Sequence, residues 1–257
     1  MKYFLVLLAG LGFTLESFSQ SSLYQSSAQL GLDRAANLYE QQLFAANLYD
    51  NTKLLATGLD LPQQKQAELQ RALSALQLDR PDGLGLIKKF VQDYSGQPDV
   101  ATAAIFLGNH YFFKNRYSEA IEAFALAPIG LVNKNSRSDV AFKQGYSYFQ
   151  LKDYAAAASY LDQVKELTIP LAADALYYSG YIAMEQGNNQ QAIRELQLAS
   201  ESEFYSSKVP YLLTSLYYKE GNYAEAIGFA TPLLASGKSF EGHWLNTVSI
   251  NYKLFAR

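Results

Sequence analysis

An all-α solenoid, a stack of helical hairpins rather than one closed core, is the fold class the sequence predicts. One pattern recurs four times between Ala101 and Pro232 at intervals of roughly 34 to 37 residues, the period of helix-turn-helix arrays. Apolar residues follow helical spacing both within these copies and in the segment before them. Short runs rich in Gly, Pro, Asn or Asp punctuate the helical stretches.

The clearest copy is IFLGNHYFFKNRYSEAIEAFALA, residues 105–127, with Leu107, Gly108 and Tyr111 on a first helix and Tyr117, Ala120, Phe124 and Ala127 across a turn and along a second. Residues 143–164, KQGYSYFQLKDYAAAASYLDQV, carry Gly145, Tyr148, Tyr154, Ala157, Leu161 and Val164 at the same offsets. A third copy, residues 178–199, keeps Gly180, Gly187, Ala192, Leu196 and Ala199, and a fourth, residues 213–234, keeps Tyr217, Gly221, Tyr223 and Ala226. The small residues have a mechanical purpose. A Gly on the first helix and an Ala on the second let the two backbones approach closely. The large residues supply apolar area that one hairpin cannot bury alone and that its neighbours bury for it. Gly187 and Gly221 stand where the first helix ends and a positive φ closes the turn. Asn115-Arg116 and Lys152-Asp153 occupy the other two turns, which are expected to close less ideally.

Position by position, these copies resemble the tetratricopeptide repeat, and four in phase make the resemblance specific. Thr214 where the other copies have Gly, Ala183 where a Tyr is expected, and Asn189 in place of the turn aromatic are its departures. The resemblance implies a right-handed α-solenoid of about six helix pairs whose first helices line a concave groove. The order of features also resembles the N-terminal part of long exported tetratricopeptide proteins of Bacteroidetes-type bacteria.

Ahead of the clear copies, 32–55 fits a helical hairpin, Thr57 to Pro62 breaks it, and Pro62 suits the first turn of the next helix. An amphipathic helix follows over 63–78, then the turn Arg80-Pro81-Asp82-Gly83, then a helix over 84–94 that ends at Ser95-Gly96-Gln97-Pro98. The expected organisation is therefore a signal peptide over 1–19, degenerate capping repeats over 20–97, four repeats over 98–239, and a C-terminal helix or truncated fifth copy over 240–257, around Trp244.

Lys2, the apolar run Tyr3 to Phe13 and the small residues Ser17 and Ser19 match a cleaved secretory signal. The run is shorter than the ~20 residues of a membrane span, so no transmembrane segment is expected in the mature chain. Cysteine is absent, which removes disulfides and an N-terminal lipid anchor and points to the periplasm or cell envelope. A net charge of −3 argues against nucleic acid as a partner.

No cofactor, metal or catalytic constellation is expected. His110 and His243 have no spaced co-ligands, and a zinc site needs three or four converging donors. Gly83-Leu84-Gly85 lacks the dinucleotide fingerprint, and Glu119 and Glu122 lie at the spacing of a solvated helical face. Tyrosine is the compositional outlier at 20 residues, which makes an aromatic surface the sharper functional candidate. Counted from the repeat glycines, the groove positions that the resemblance implies are Ile105, Asn109 and Phe112; Phe142, Tyr146 and Phe149; Tyr177, Tyr181 and Met184; and Tyr211, Ser215 and Tyr218. Aromatic side chains there would suit capture of a protein or peptide segment, or would instead pack between adjacent first helices as core. The expected function is thus a protein-interaction scaffold. The alternatives are a glycan-binding envelope protein and the N-terminal portion of a longer protein whose active domain follows residue 257.

Overall fold

The computed structural model describes residues 27–127, 130, 132 and 134–235, and every regular element among them is helical. In chain order these are α1 (27–40), α2 (Phe44–Leu54), α3 (Leu61–Gln77), α4 (Gly83–Asp93), α5 (Asp99–Phe113), α6 (Tyr117–Ala125), α7 (Lys134–Gln150), α8 (Tyr154–Lys165), α9 (Leu171–Glu185), α10 (Asn189–Ser200), the single turn α11 (Glu203–Ser206), α12 (Val209–Lys219) and α13 (Tyr223–Ala235). This is the all-α helix-turn-helix array expected, including both weak N-terminal pairs. The segments 1–19 and 240–257 lie outside the described residues. Among the described residues no helix is long and apolar enough to cross a membrane.

One local motif closes the turn of every pair. Gln42, Asp79, Asn115, Lys152, Gly187 and Gly221 all have φ between 52° and 78°. In each case that residue's N–H bonds to the carbonyl three residues back, and the next N–H bonds to the carbonyl five residues back, as in Asn188 N to Ala183 O at 2.8 Å and Asp153 N to Tyr148 O at 3.0 Å. These bonds satisfy the last carbonyls of the first helix. The turns at Asn115 and Lys152 therefore close with the same geometry as the glycine turns, contrary to the expectation. What differs is backbone strain, since a left-handed conformation is costlier with a Cβ present. Lys152→Gly is expected to stabilise the chain by about 0.5 kcal/mol and Gly221→Ala to destabilise it by about 1 kcal/mol, both measured as shifts of the urea midpoint.

The chain divides into two compact units, one holding residues up to His110 with 125–131, the other holding Tyr111–Phe124 and the residues from Val132 onward. In the first unit, Asp60 caps α3 by accepting from Gln63 N, and Pro62 follows in the first turn. Ile87, Phe90 and Val91 of α4 are buried with Ala72, Leu73 and Leu76 of α3. Gly83 is more than a turn residue here: a Cβ on it would lie 2.8 Å from the Ala75 carbonyl oxygen, so it lets the start of α4 meet the backbone of α3. Asn47 and Asn51 of α2 and Ser74 of α3 form a buried polar cluster. Asn47 donates to Ala35 O at 2.6 Å and accepts from Ser74 Oγ at 2.7 Å, while Asn51 donates to Asn47.

Tyr94, at the end of α4, is buried and donates to Glu68 Oε2 at 2.9 Å. Burial first, and the Glu68 carboxylate second, push its hydroxyl from 10.0 up to about 12. The folded state therefore holds this proton more tightly than the unfolded chain. Its contribution is complete below pH 10 and is lost as pH rises through about 12. Wild type should lose on the order of 2 kcal/mol more than Tyr94→Phe across that window, read from urea curves at several alkaline pH values.

In the second unit α7 packs on α8, α8 on α9, α9 on α10, α10 on α12 and α12 on α13. The α7–α8 and α9–α10 hairpins are each closed by a leucine seated against a glycine. A Cβ on Gly145 would come within 2.9 Å of Leu161 Cγ and 3.3 Å of Ala157 O, and one on Gly180 within 2.8 Å of Leu196 Cγ. The small-residue pairing expected from the sequence thus operates chiefly through Leu161 and Leu196, one turn beyond the alanines. Both leucines are fully buried, as are Ala157 and Ala192. In the fourth copy Thr214 replaces the glycine, and its hydroxyl donates back to Pro210 O at 2.8 Å, which spares its polar atom from burial without a partner.

Candidate partner-binding face

Successive repeats bring the aromatic offsets of α7 and α9 to one side of the second unit, because α7 packs directly on α9 as well as on α8. There the rings form a continuous ladder. Phe112 lies 5.5 Å from Tyr146, Tyr146 5.0 Å from Tyr178, Tyr178 5.1 Å from Phe149, and Phe149 5.6 Å from Tyr181. The turn aromatics join from the second helices, Tyr117 at 5.9 Å from Tyr146 and Tyr154 at 5.9 Å from Phe149. Most of these contacts are tilted or edge-to-face, the arrangements favoured by ring quadrupoles.

Every residue of the expected stripe is half-buried, neither core nor free surface. Phe112, Phe142, Tyr146, Phe149, Tyr177 and Tyr181 are all members of the ladder. Met184 packs instead with the core between α10 and α12, and Tyr177 shares that contact. Tyr218 meets the exposed Tyr223 at 5.5 Å, and Tyr211 and Ser215 lie with it on α12. Ile105 and Asn109 belong to the first unit. His110 lies in the last turn of α5, and His243 falls outside the described residues. Glu119 pairs with Arg116 at 2.5 Å, and Glu122 is exposed.

Two central residues escape the offset count. Tyr178 touches Phe142, Tyr146, Phe149 and Tyr177, more rings than any expected residue but Tyr146 and Phe149. It directly follows Tyr177, so a count in steps of three and four residues passes over it. Tyr205 reaches the ladder from α11, stacking on Tyr177 at 4.5 Å and donating to Asp174 Oδ1 at 2.6 Å. No periodic rule covers α11, which lies in the connection between two repeats.

The hydroxyls divide into two sets. The Tyr146 hydroxyl lies near those of Tyr117 and Tyr178. Burial raises the Tyr178 hydroxyl well above its ordinary value, with the neighbouring Tyr146 adding to it, and burial followed by the Asp174 carboxylate does the same for Tyr205. Tyr154, Tyr177 and Tyr181, by contrast, have hydroxyls that bond to no group among the described residues. Burial raises those of Tyr177 and Tyr181 too, so they stay protonated donors at any physiological pH. The cations alongside are already paired, Lys143 with Asp139 at 2.7 Å and Arg116 with Glu119. The face is thus apolar in area and polar at its tips.

Residues 142–205, which contain most of this ladder, match the tetratricopeptide repeat family. No curated protein sequence matches the chain. Among solved structures, YrrB, described as a TPR protein with an unusual peptide-binding site, is similar with a TM-score of 0.56 and 20% identity over 70% of this chain and 88% of its own. PilF of Pseudomonas aeruginosa is similar with a TM-score of 0.54 and 14% identity over 81% of this chain and 91% of its own. MamA of AMB-1 gives a TM-score of 0.51 and 21% identity over 66% of this chain and 99% of its own. The fold is therefore that of the tetratricopeptide solenoid, and residues 142–205 carry the sequence signature of that repeat.

Proposed function

We propose that the chain is a protein-interaction scaffold of the periplasm or cell envelope that holds a segment of a partner protein against the ring-bearing face of α7 and α9. The observation that carries this reading is the half-buried ladder itself. Rings that are packed on their edges and open on one side offer large apolar area with little rotamer entropy left to lose, which is what an interaction hot spot requires. The peptide-binding site described for the similarly folded YrrB agrees with such a use. Export rests on the N-terminal Lys2, apolar run and small residues, and mature protein purified from its native host should begin near Gln20 by mass spectrometry.

Tyr146 is a poor probe of binding, because it contacts rings on three sides and its truncation would loosen the face. Tyr154 and Tyr181 at the rim serve better. Tyr154→Ser with Tyr181→Ser is expected to reduce capture of partners from envelope fractions at least tenfold while leaving the circular dichroism spectrum unchanged. Capture at wild-type level by this double variant would sink the proposal.

A further inference from the structure

We infer, independently of the scaffold reading above, that the row of Tyr154, Phe149 and Tyr181 pairs with the same row of a second copy of this chain in a reversible two-fold dimer. Three features of the row point to it. The first is charge. Lys152 lies in the turn between α7 and α8, two residues before Tyr154, and Glu185 lies one helical turn beyond Tyr181 at the end of α9. Both are exposed, and among the described residues neither is in an ion pair. At the neighbouring turns the charges are already engaged, Arg116 by Glu119 and Glu220 by Asn189 and Gln190. The row therefore ends in one available cation and one available anion.

The second feature is the order of the groups. Phe149 stands between two tyrosines, 5.9 Å from Tyr154 and 5.6 Å from Tyr181. Glu185 belongs to the Tyr181 end, where after burial it is the nearest charge acting on that hydroxyl. From end to end the row runs cation, tyrosine, phenylalanine, tyrosine, anion. A two-fold axis near Phe149 exchanges the tyrosines and sets Lys152 of each copy against Glu185 of the other. A two-fold interface uses one patch on both copies, so that patch must complement itself. Like rings on either side of a central ring, with opposite charges at the ends, meet this condition, whereas ends of like charge would repel.

The third feature is size. An aromatic side chain buries at most about 250 Å², and these three are already half-buried. The shared area thus stays below the ~800 Å² per partner of a standard stable interface, and association is weak and concentration-dependent.

The test is sedimentation equilibrium of the mature chain over a concentration series, with circular dichroism as the check on folding. Wild type is expected to show a monomer-dimer equilibrium that shifts toward monomer as salt is added. Lys152→Glu and Glu185→Lys are each expected to weaken the dimer about tenfold with unchanged circular dichroism. The double variant carrying both substitutions should regain wild-type association. An equimolar mixture of the two single variants should regain it too, since each copy then offers the charge that the other lacks. A chain that stays monomeric at the highest concentration overturns the inference, as does a dimer indifferent to both single reversals, or a mixture no better associated than its components. These outcomes are read without any partner segment, so they leave the scaffold reading standing; that reading fails only if Tyr154→Ser with Tyr181→Ser still captures partners at wild-type level.

Discussion

Leu196→Ala is expected to destabilise the second unit by about 3–4 kcal/mol, within the range for truncating a fully buried leucine. Leu196 is completely excluded from solvent, and it sits against Gly180 within one hairpin while belonging to the core that α10 shares with α12 through Leu213 and Leu216. Its removal therefore opens a cavity both inside a repeat and between repeats. Gly180 presents no side chain that could swing in to fill it, and the alanines at 183, 192 and 199 are too short to do so. The urea midpoint should fall substantially, and Leu198→Ala, at an exposed position two residues away, should shift it by no more than about 0.5 kcal/mol. Equal effects of the two would show that α10 does not present the face described.

Lys165→Met should cost about 3 kcal/mol, although the substitution adds an apolar side chain. Lys165 Nζ lies 2.7 Å from both Asp162 Oδ1 and Glu195 Oε1, with little of the lysine or of Glu195 exposed. Gln191 also donates to Glu195 Oε1, but Glu195 Oε2 is buried with no hydrogen-bond partner among the described residues. Without the lysine, a carboxylate between α8 and α10 keeps its desolvation cost and loses its main compensation. Desolvation works to lower the lysine's pKa, yet the bonds to Asp162 and Glu195 together hold it above 10.5. The contribution of Lys165 is consequently complete below pH 10.5 and fades only as pH rises beyond it. The double variant Lys165→Met with Glu195→Met should recover most of the lost stability, since paired apolar groups replace a buried ion pair at little net cost. A thermodynamic cycle in which the two single effects simply add would refute the coupling.

Much of this was accessible from residue order. Gly145, Ala157, Leu161 and Val164, and their counterparts in the next copy, announced both the hairpin and its closure, because packing of identical units leaves an imprint at fixed offsets. The weak N-terminal pairs were harder. Their turns at Gln42 and Asp79 use the same left-handed residue and the same two hydrogen bonds as Gly187 and Gly221, but without the glycine that makes such a turn visible in sequence. A backbone motif can be met by several residue types, and only its geometry reveals it. The aromatic face was half accessible for a similar reason. Phe149 and Tyr181 fall on the helical offsets, whereas Tyr178 and Tyr205 are brought in by the lateral packing of α7 on α9 and by an insertion of one helical turn.

By itself, then, the sequence determined the fold class, the period and the small and large residues that meet inside the clear repeats, because all of these depend on contacts within one repeat or on its regular recurrence. Tertiary structure alone decided which rings touch and which hydroxyls are buried among them. Those outcomes depend on how neighbouring repeats approach in space. Residues adjacent in sequence, such as Tyr177 and Tyr178, can thereby take different parts, one stacked on Tyr205 and the other set among Phe142, Tyr146 and Phe149.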